Sequence, residues 1–162
     1  MLIQSTNQTE DVKLYFPAST QGVVIDNSHV DMEYIRMYGA SYLNGSLVDI
    51  KNNSYFKFGK GSMYSDTSPL LRGVGSTEVS VYNSDLTSTK LIATITDSEL
   101  SNFSNNTING LDQGQGLIFY NTNAAVQYNL ITNTSEGAVI WNGQDTGMMT
   151  GNTLTNNKSA GS

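Results

Sequence analysis

The chain has no cysteine, which removes a disulfide scaffold and any thiolate metal site and leaves the redox compartment open. Its only prolines are Pro17 and Pro69. Both stand in loop-like surroundings, as a chain built mainly of central strands requires, because proline cannot donate to a sheet ladder. Cations are also scarce. Eight Lys plus Arg against fourteen Asp plus Glu give a formal net charge of −6, so no basic face is available to neutralise a phosphate backbone, and nucleic acid is not expected as a partner. Nor would this net charge steer an anionic glycan inward. No apolar run reaches the length of a membrane span, so membrane insertion is not expected. The opening stretch MLIQSTNQTE does not read as a secretory signal. His29 is the single histidine.

What remains is a 162-residue chain with 14% charged residues, 38% apolar residues and nine tyrosines, rich in Asn, Ser, Thr and Gly. Its length suits one domain, and its apolar share is enough for a core. Charge is too sparse for a solvated disordered tail. Apolar residues alternate over short runs, and no segment holds a 3.6-residue stripe through three helical turns, so strands are expected and no significant α-helix.

The strands repeat. Phe103-x-x-Asn106-x-Ile108, Val126-x-x-Asn129-x-Ile131 and Met149-x-x-Asn152-x-Leu154 follow one another at 23 residues. The stretch GLIFYN at 116–121 returns as GAVIWN at 137–142, 21 residues later, with two residues expected to be made up in the GQDTG loop. Glycines fall between the runs, where corners need a permissive backbone. Upstream, strand, Asn/Asp-Ser corner and strand recur around Asn27, Asn53 and Asn83, spaced 26 and 30 residues. That spacing predicts larger turns with outward loops such as GKGSMYSDTSPLLRG. Short strands, corners and this period describe a coil that stacks each turn on the last at about 4.8 Å.

The N-x-I-x-N coil and the rung VVIDNSHVDMEYI resemble the right-handed parallel β-helix of pectate-lyase-like proteins. The expectation is an all-β parallel solenoid of about 23–30 residues per turn over 22–157. Residues 1–21 would form an irregular segment or edge strand and residues 158–162 a tail. Asn106, Asn129 and Asn152 are the candidates for a corner ladder, with side-chain amides bonding up and down the column. Neither end reads as a capping helix, so the expectation is a piece of a longer polypeptide, or ends covered by partners.

The resemblance implies carbohydrate chemistry, and the catalytic signatures of the fold's lyases, hydrolases and epimerases are not matched. Two carboxylates remain, Asp112 and Glu136, in corresponding corners of successive turns, where either glycosidase geometry could be met. His29 points outward beside Asp31, either as a catalytic pair or as a solvated corner. No metal constellation stands out and no cofactor is expected. If Leu117 and Phe119 point inward together with Ala138 and Ile140, Tyr120 and Trp141 stand outward on adjacent rungs. They would then meet a glycan, a subunit or an overlying loop.

Together these readings resemble the shaft of a bacteriophage tailspike, where three solenoids pack side by side and bind host polysaccharide. The expectation is thus a polysaccharide-binding homotrimer at a virion tail or extracellular surface. A polysaccharide lyase or hydrolase of the same fold, and a structural adhesin or filament without a glycan site, are the alternatives.

Overall fold

A computed structural model of the chain describes residues 2–4, 12–17, 22–39, 45–143 and 146–158. Among these residues there is no helix, and every paired strand is parallel to its neighbour. Sheet A stacks β1 (Leu2–Gln4), β4 (His29–Glu33), β7 (Tyr55–Gly59), β10 (Glu78–Tyr82), β13 (Leu100–Ser104), β16 (Ala124–Gln127) and β19 (Gly147–Thr150). Sheet B stacks β2 (Val12–Phe16), β5 (Ile35–Gly39), β8 (Ser62–Ser65), β11 (Asp85–Ser88), β14 (Thr107–Asn109), β17 (Leu130–Thr132) and β20 (Thr153–Thr155). Sheet C stacks β3 (Val23–Asp26), β6 (Val48–Lys51), β9 (Leu71–Val74), β12 (Leu91–Thr96), β15 (Gln115–Tyr120) and β18 (Val139–Asn142). The chain therefore runs A, B, C and back to A, one rung per circuit, as a parallel β-solenoid.

Alternation along each strand sends one set of side chains into the coil. Phe58, Val81, Phe103, Val126 and Met149 form one inward column, set by the strand register of sheet A. Met37, Met63, Leu86, Ile108, Ile131 and Leu154 form the column of sheet B. Phe56, Phe58, Phe103 and Phe119 are wholly buried, so the large rings fill the interior of the middle turns. The strands before residue 22 join the stack as edge strands: Leu2 pairs with Asp31 and Val12 with Ile35.

The corners explain the asparagine content. Between sheets A and B, residues Tyr34, Lys60, Asn83, Asn105, Tyr128 and Gly151 all have φ between 48° and 64°. The residue after each of the last four of these carries the ladder. Asn129 Oδ1 accepts from the backbone N of Asn106 at 2.9 Å and from its Nδ2 at 3.0 Å, while Asn129 Nδ2 donates to Phe103 O. Asn152 Oδ1 serves Asn129 in the same way, and Asn106 Oδ1 accepts from the N–H of Ser84. Between sheets C and A, hydroxyls do this work: Ser98 Oγ accepts from Ser76 N, and Thr122 Oγ1 from Ser98 N. Side chains thus satisfy backbone donors at the bends, which would otherwise be buried without partners.

Three expectations are corrected. Asn83 does not continue the column of Asn27 and Asn53, because its N–H bonds to Ser104 O and it occupies the A-to-B corner. The stretch GKGSMYSDTSPLLRG is not an outward loop. It contains β8 and all but the last residue of β9, and Met63, Leu70 and Leu71 are buried in it. The GLIFYN and GAVIWN copies pair one residue away from their sequence alignment: Leu117 pairs with Val139, Phe119 with Trp141 and Tyr120 with Asn142. The register offset is 23 at Asn109–Thr132, 22 at Leu117–Val139 and 23 again at Ala124–Gly147. The connection into β18 is thus one residue shorter than the one into β15, and the next connection is one longer. Gln144 and Asp145 of the GQDTG segment lie outside the described residues, as do 159–162.

Replacing Asn129 by Ala removes both acceptor contacts to Asn106 and the donor to Phe103 O, leaving buried backbone groups unpaired. The expected loss is about 3 kcal/mol, read from urea unfolding. The same substitution at exposed Asn123 is expected to cost less than about 1 kcal/mol.

Candidate functional site

On sheet A, burial of Val30 and Met32, of Phe56 and Phe58, and of Val79 and Val81 turns the intervening residues outward. The register sets these into three rows across the rungs: His29, Tyr55 and Glu78; Asp31, Lys57 and Ser80; Glu33, Gly59 and Tyr82. The third row has a gap at Gly59. A Cβ built there would lie 2.1 Å from Tyr82 Cζ, so only glycine lets the Tyr82 ring lie across the middle rung. The phenol thereby reaches two rungs back and donates to Glu33 Oε1.

Cations close around this bridge. Lys60 Nζ is 3.5 Å from Glu33 Oε2 and 5.1 Å from the Tyr34 ring centre, and Lys57 Nζ is 5.2 Å from the Tyr82 ring centre. His29 stacks on Tyr55 at 4.1 Å, with its Nε2 3.4 Å from Asp31 Oδ2. Beside these groups lies a cleft of about 470 Å³. Tyr55, Lys57, Glu78, Tyr82, Asn102 and Asn105 are among the residues lining it.

The electrostatics fix protonation states rather than poise them. The Tyr82 hydroxyl, followed by the Lys60 and Lys57 ammonium groups, holds the Glu33 carboxyl below its ordinary value, against the opposing effect of burial. Burial and then the hydrogen bond to Glu33 push the Tyr82 phenol well up. Burial and the neighbouring Glu78 carboxylate push the Tyr55 phenol up as well. Near neutral pH Glu33 is an acceptor and both tyrosines are donors. A general acid or base would instead need a pKa near the working pH.

The sequence-derived candidates fall elsewhere. Asp112 and Glu136 are exposed, in the B-to-C connections of successive turns. Asp112 has φ 64° and donates its backbone N–H to Asn133 O, while the Glu136 carboxylate accepts from Gln115 Nε2. Neither lines the cleft on sheet A. Tyr120 faces solvent on sheet C, beside Thr96 and Asn142 in register. Trp141 does not stand over Tyr120, which corrects the expected outward pair. The one-residue difference in register turns its ring toward the coil, where it stacks on buried Phe119 at 5.7 Å and leaves its indole N–H buried without a partner. Among the described residues no group of three or more His, Cys, Asp or Glu is placed to hold a metal ion. No helix of the described residues is long and apolar enough to cross a membrane.

The cleft residues lie inside strands visible in the sequence, HVDME, YFKFG, EVSVY and LSNFS, or at the corners that follow them. Their convergence depends on register across four rungs, and the one local signal is the glycine at the outward position of YFKFG. Comparison with protein-family models, with curated proteins and with solved structures returns no match.

Tyr82→Phe removes the hydrogen bond to Glu33, and Gly59→Ala displaces the ring that makes it. In both variants the Glu33 pKa is expected to rise toward its ordinary 4.5, followed by carboxyl NMR shifts. Because the depressed pKa stabilises the fold above the ordinary carboxylate range and that contribution is lost as pH falls through the folded value, acid sensitivity on this account should shrink in both variants. On the alkaline side, the raised Tyr82 pKa contributes stability that is full below pH 10.0 and lost at higher pH. Tyr82→Phe should remove that dependence.

Proposed function

We propose that this solenoid is the saccharide-recognising part of a surface-exposed protein, similar in kind to the shaft of a bacteriophage tailspike, and that it binds host cell-surface polysaccharide along sheet A. The observation that carries this reading is the cleft beside Tyr55 and Tyr82. Phenol rings supply apolar surface for sugar C–H groups. Glu33, Glu78, Lys57, Asn102 and Asn105 supply the mixed donors and acceptors that hydroxyl-rich ligands require. Asn102 Oδ1 and Asp31 Oδ1 are buried without a hydrogen-bond partner, and a ligand hydroxyl would satisfy such an acceptor.

Recognition is favoured over cleavage because Glu33 is held ionised and Tyr82 neutral, which keeps both away from proton transfer near neutral pH. Such fixed donors and acceptors suit binding, where each hydroxyl must find the same partner every time. Packing of three copies side by side, and a place on a virion tail or another extracellular surface, belong to the same proposal.

Titration with a panel of O-antigen and capsular oligosaccharides tests it. A ligand from the panel should bind and be weakened about tenfold, equivalent to 1.4 kcal/mol, by Tyr55→Ala and by Asn102→Ala. Asp112→Asn and Glu136→Gln should leave binding unchanged. A chain that binds none of the panel would be a structural solenoid. Turnover abolished by Asp112→Asn or Glu136→Gln would make it a depolymerase.

A further inference from the structure

A second aromatic feature lies on sheet B, away from the cleft. Lys13-Leu14-Tyr15, Arg36-Met37-Tyr38 and Ser62-Met63-Tyr64 share one pattern: a polar residue, an aliphatic or methionine, and a tyrosine. The register places Tyr15, Tyr38 and Tyr64 in one row on consecutive rungs. Met37 and Met63 are buried, so alternation turns the tyrosines outward. Tyr15 is 67% exposed and Tyr64 40%, with Tyr38 half-buried between them. The Tyr15 and Tyr38 rings stack at 5.0 Å with 14° between their planes. Among the described residues Tyr38 makes no such contact with Tyr64, so the stack is a pair.

Among the described residues this is also the one place where two tyrosine rings meet. Other tyrosines lie against different groups, as Tyr55 does on His29 and Tyr82 against Lys57 and Glu33. The pairing has a chemical consequence. One-electron oxidation of a phenol spreads the unpaired spin onto the ring carbons ortho to the hydroxyl, and two such radicals join only where they meet. A stack that holds both rings turns that bimolecular encounter into a unimolecular one. The strand that carries Tyr15 is thinly held. Among the described strands β2 pairs with β5 alone, and Val12, Lys13 and Tyr15 are exposed while Leu14 and Phe16 are half-buried against the core. With no cysteine in the chain, no disulfide can fasten it.

We propose that Tyr15 and Tyr38 are the site of an oxidative modification, a dityrosine link that fastens β2 to β5, formed by a haem peroxidase with hydrogen peroxide. Each phenol gives up one electron and one proton to become a phenoxyl radical. An ortho carbon of one ring joins an ortho carbon of the other, and the hydrogen on each joined carbon moves to its own ring oxygen, restoring both phenols. Hydrogen peroxide takes up the two electrons and two protons and leaves as two waters, so the protein loses two hydrogens and gains one carbon–carbon bond. The link closes the loop between residues 15 and 38, which restricts the unfolded chain as any cross-link does. It is independent of what the sheet A cleft binds.

The test treats the full chain with a haem peroxidase and hydrogen peroxide, and follows dityrosine fluorescence, migration on a denaturing gel and peptide maps by mass spectrometry. The expected product is a monomer lighter by two hydrogens, with the peptides that contain Tyr15 and Tyr38 joined. Its urea midpoint should lie above that of the untreated chain. Tyr15→Phe should abolish this product, and because Tyr15 is exposed the variant should keep the circular dichroism of the parent. Tyr64→Phe and Tyr128→Phe, at exposed tyrosines outside the stack, should leave the product unchanged. Treatment of the chain already unfolded in urea should lose the preference for this pair. Links mapped mainly to Tyr64 or Tyr128, covalent dimers in place of the linked monomer, or a yield indifferent to Tyr15→Phe would overturn the site, as would the absence of dityrosine. A linked monomer with an unchanged urea midpoint would overturn the fastening of β2.

Discussion

Everything in this molecule depends on one requirement: each rung must lie directly on the one before it, so that every strand donates to the next through an unbroken parallel ladder. The strands meet that requirement almost by default, since extended backbone of similar length superimposes readily. The corners do not. There the chain turns through left-handed φ values at Asn27, Asn83, Asn105, Asn121 and Asn133, conformations that asparagine tolerates better than most residues. The residues that follow, Ser28, Ser84, Asn106, Thr122 and Thr134, accept or donate between rungs. Corner and ladder are therefore one device, in which the first residue makes the bend and the second satisfies the backbone that the bend leaves unpaired.

This device explains which parts of the fold are legible in the sequence. Asn106, Asn129 and Asn152 repeat one residue type at one spacing, and each amide uses its oxygen toward one neighbour and its nitrogen toward another. The period of 23 is therefore written plainly in the chain. The register of the GAVIWN copy is not. Ile118 and Ile140 pair with each other, as do Leu117 and Val139, so apolar side chains occur on both faces of β15 and β18 and either phase looks acceptable in one dimension. The length of the connection ahead of β18 decides the phase. A shift of one residue turns Trp141 from an outward platform into a ring stacked on Phe119. The Asn83-Ser84 step misleads for a related reason: two different corners use the same dipeptide, since both face the same problem of a left-handed bend followed by an unpaired backbone group.

The surface is harder to read than the core because its chemistry runs across the strands. Glu33 and Tyr82 are 49 residues apart, and nothing near either of them in sequence announces the other. They meet because two offsets, from Glu33 to Gly59 and from Gly59 to Tyr82, place all three in one row. The same holds on sheet B, where Tyr15, Tyr38 and Tyr64 become neighbours only once the offsets of the first rungs are known. There the tripeptides KLY, RMY and SMY leave a visible trace, because three rungs repeat the same choice.

Uniform rung spacing also constrains what such a surface can do. A row of side chains on a solenoid is held at one distance, about 4.8 Å, so groups on alternate rungs stand roughly 10 Å apart and are normally separated by whatever fills the rung between. Gly59 removes that filler. It lets an aromatic ring lie flat across the sheet and join rungs that would otherwise act independently, fixing a carboxylate and a phenol in one arrangement and setting their protonation through that contact. The adjoining rows, lacking a glycine, keep their side chains one per rung, as His29 over Tyr55 shows. The same scaffold thus produces two kinds of surface. Where every rung carries a side chain it presents a periodic line, and where one rung is empty it presents a cleft with a single defined geometry.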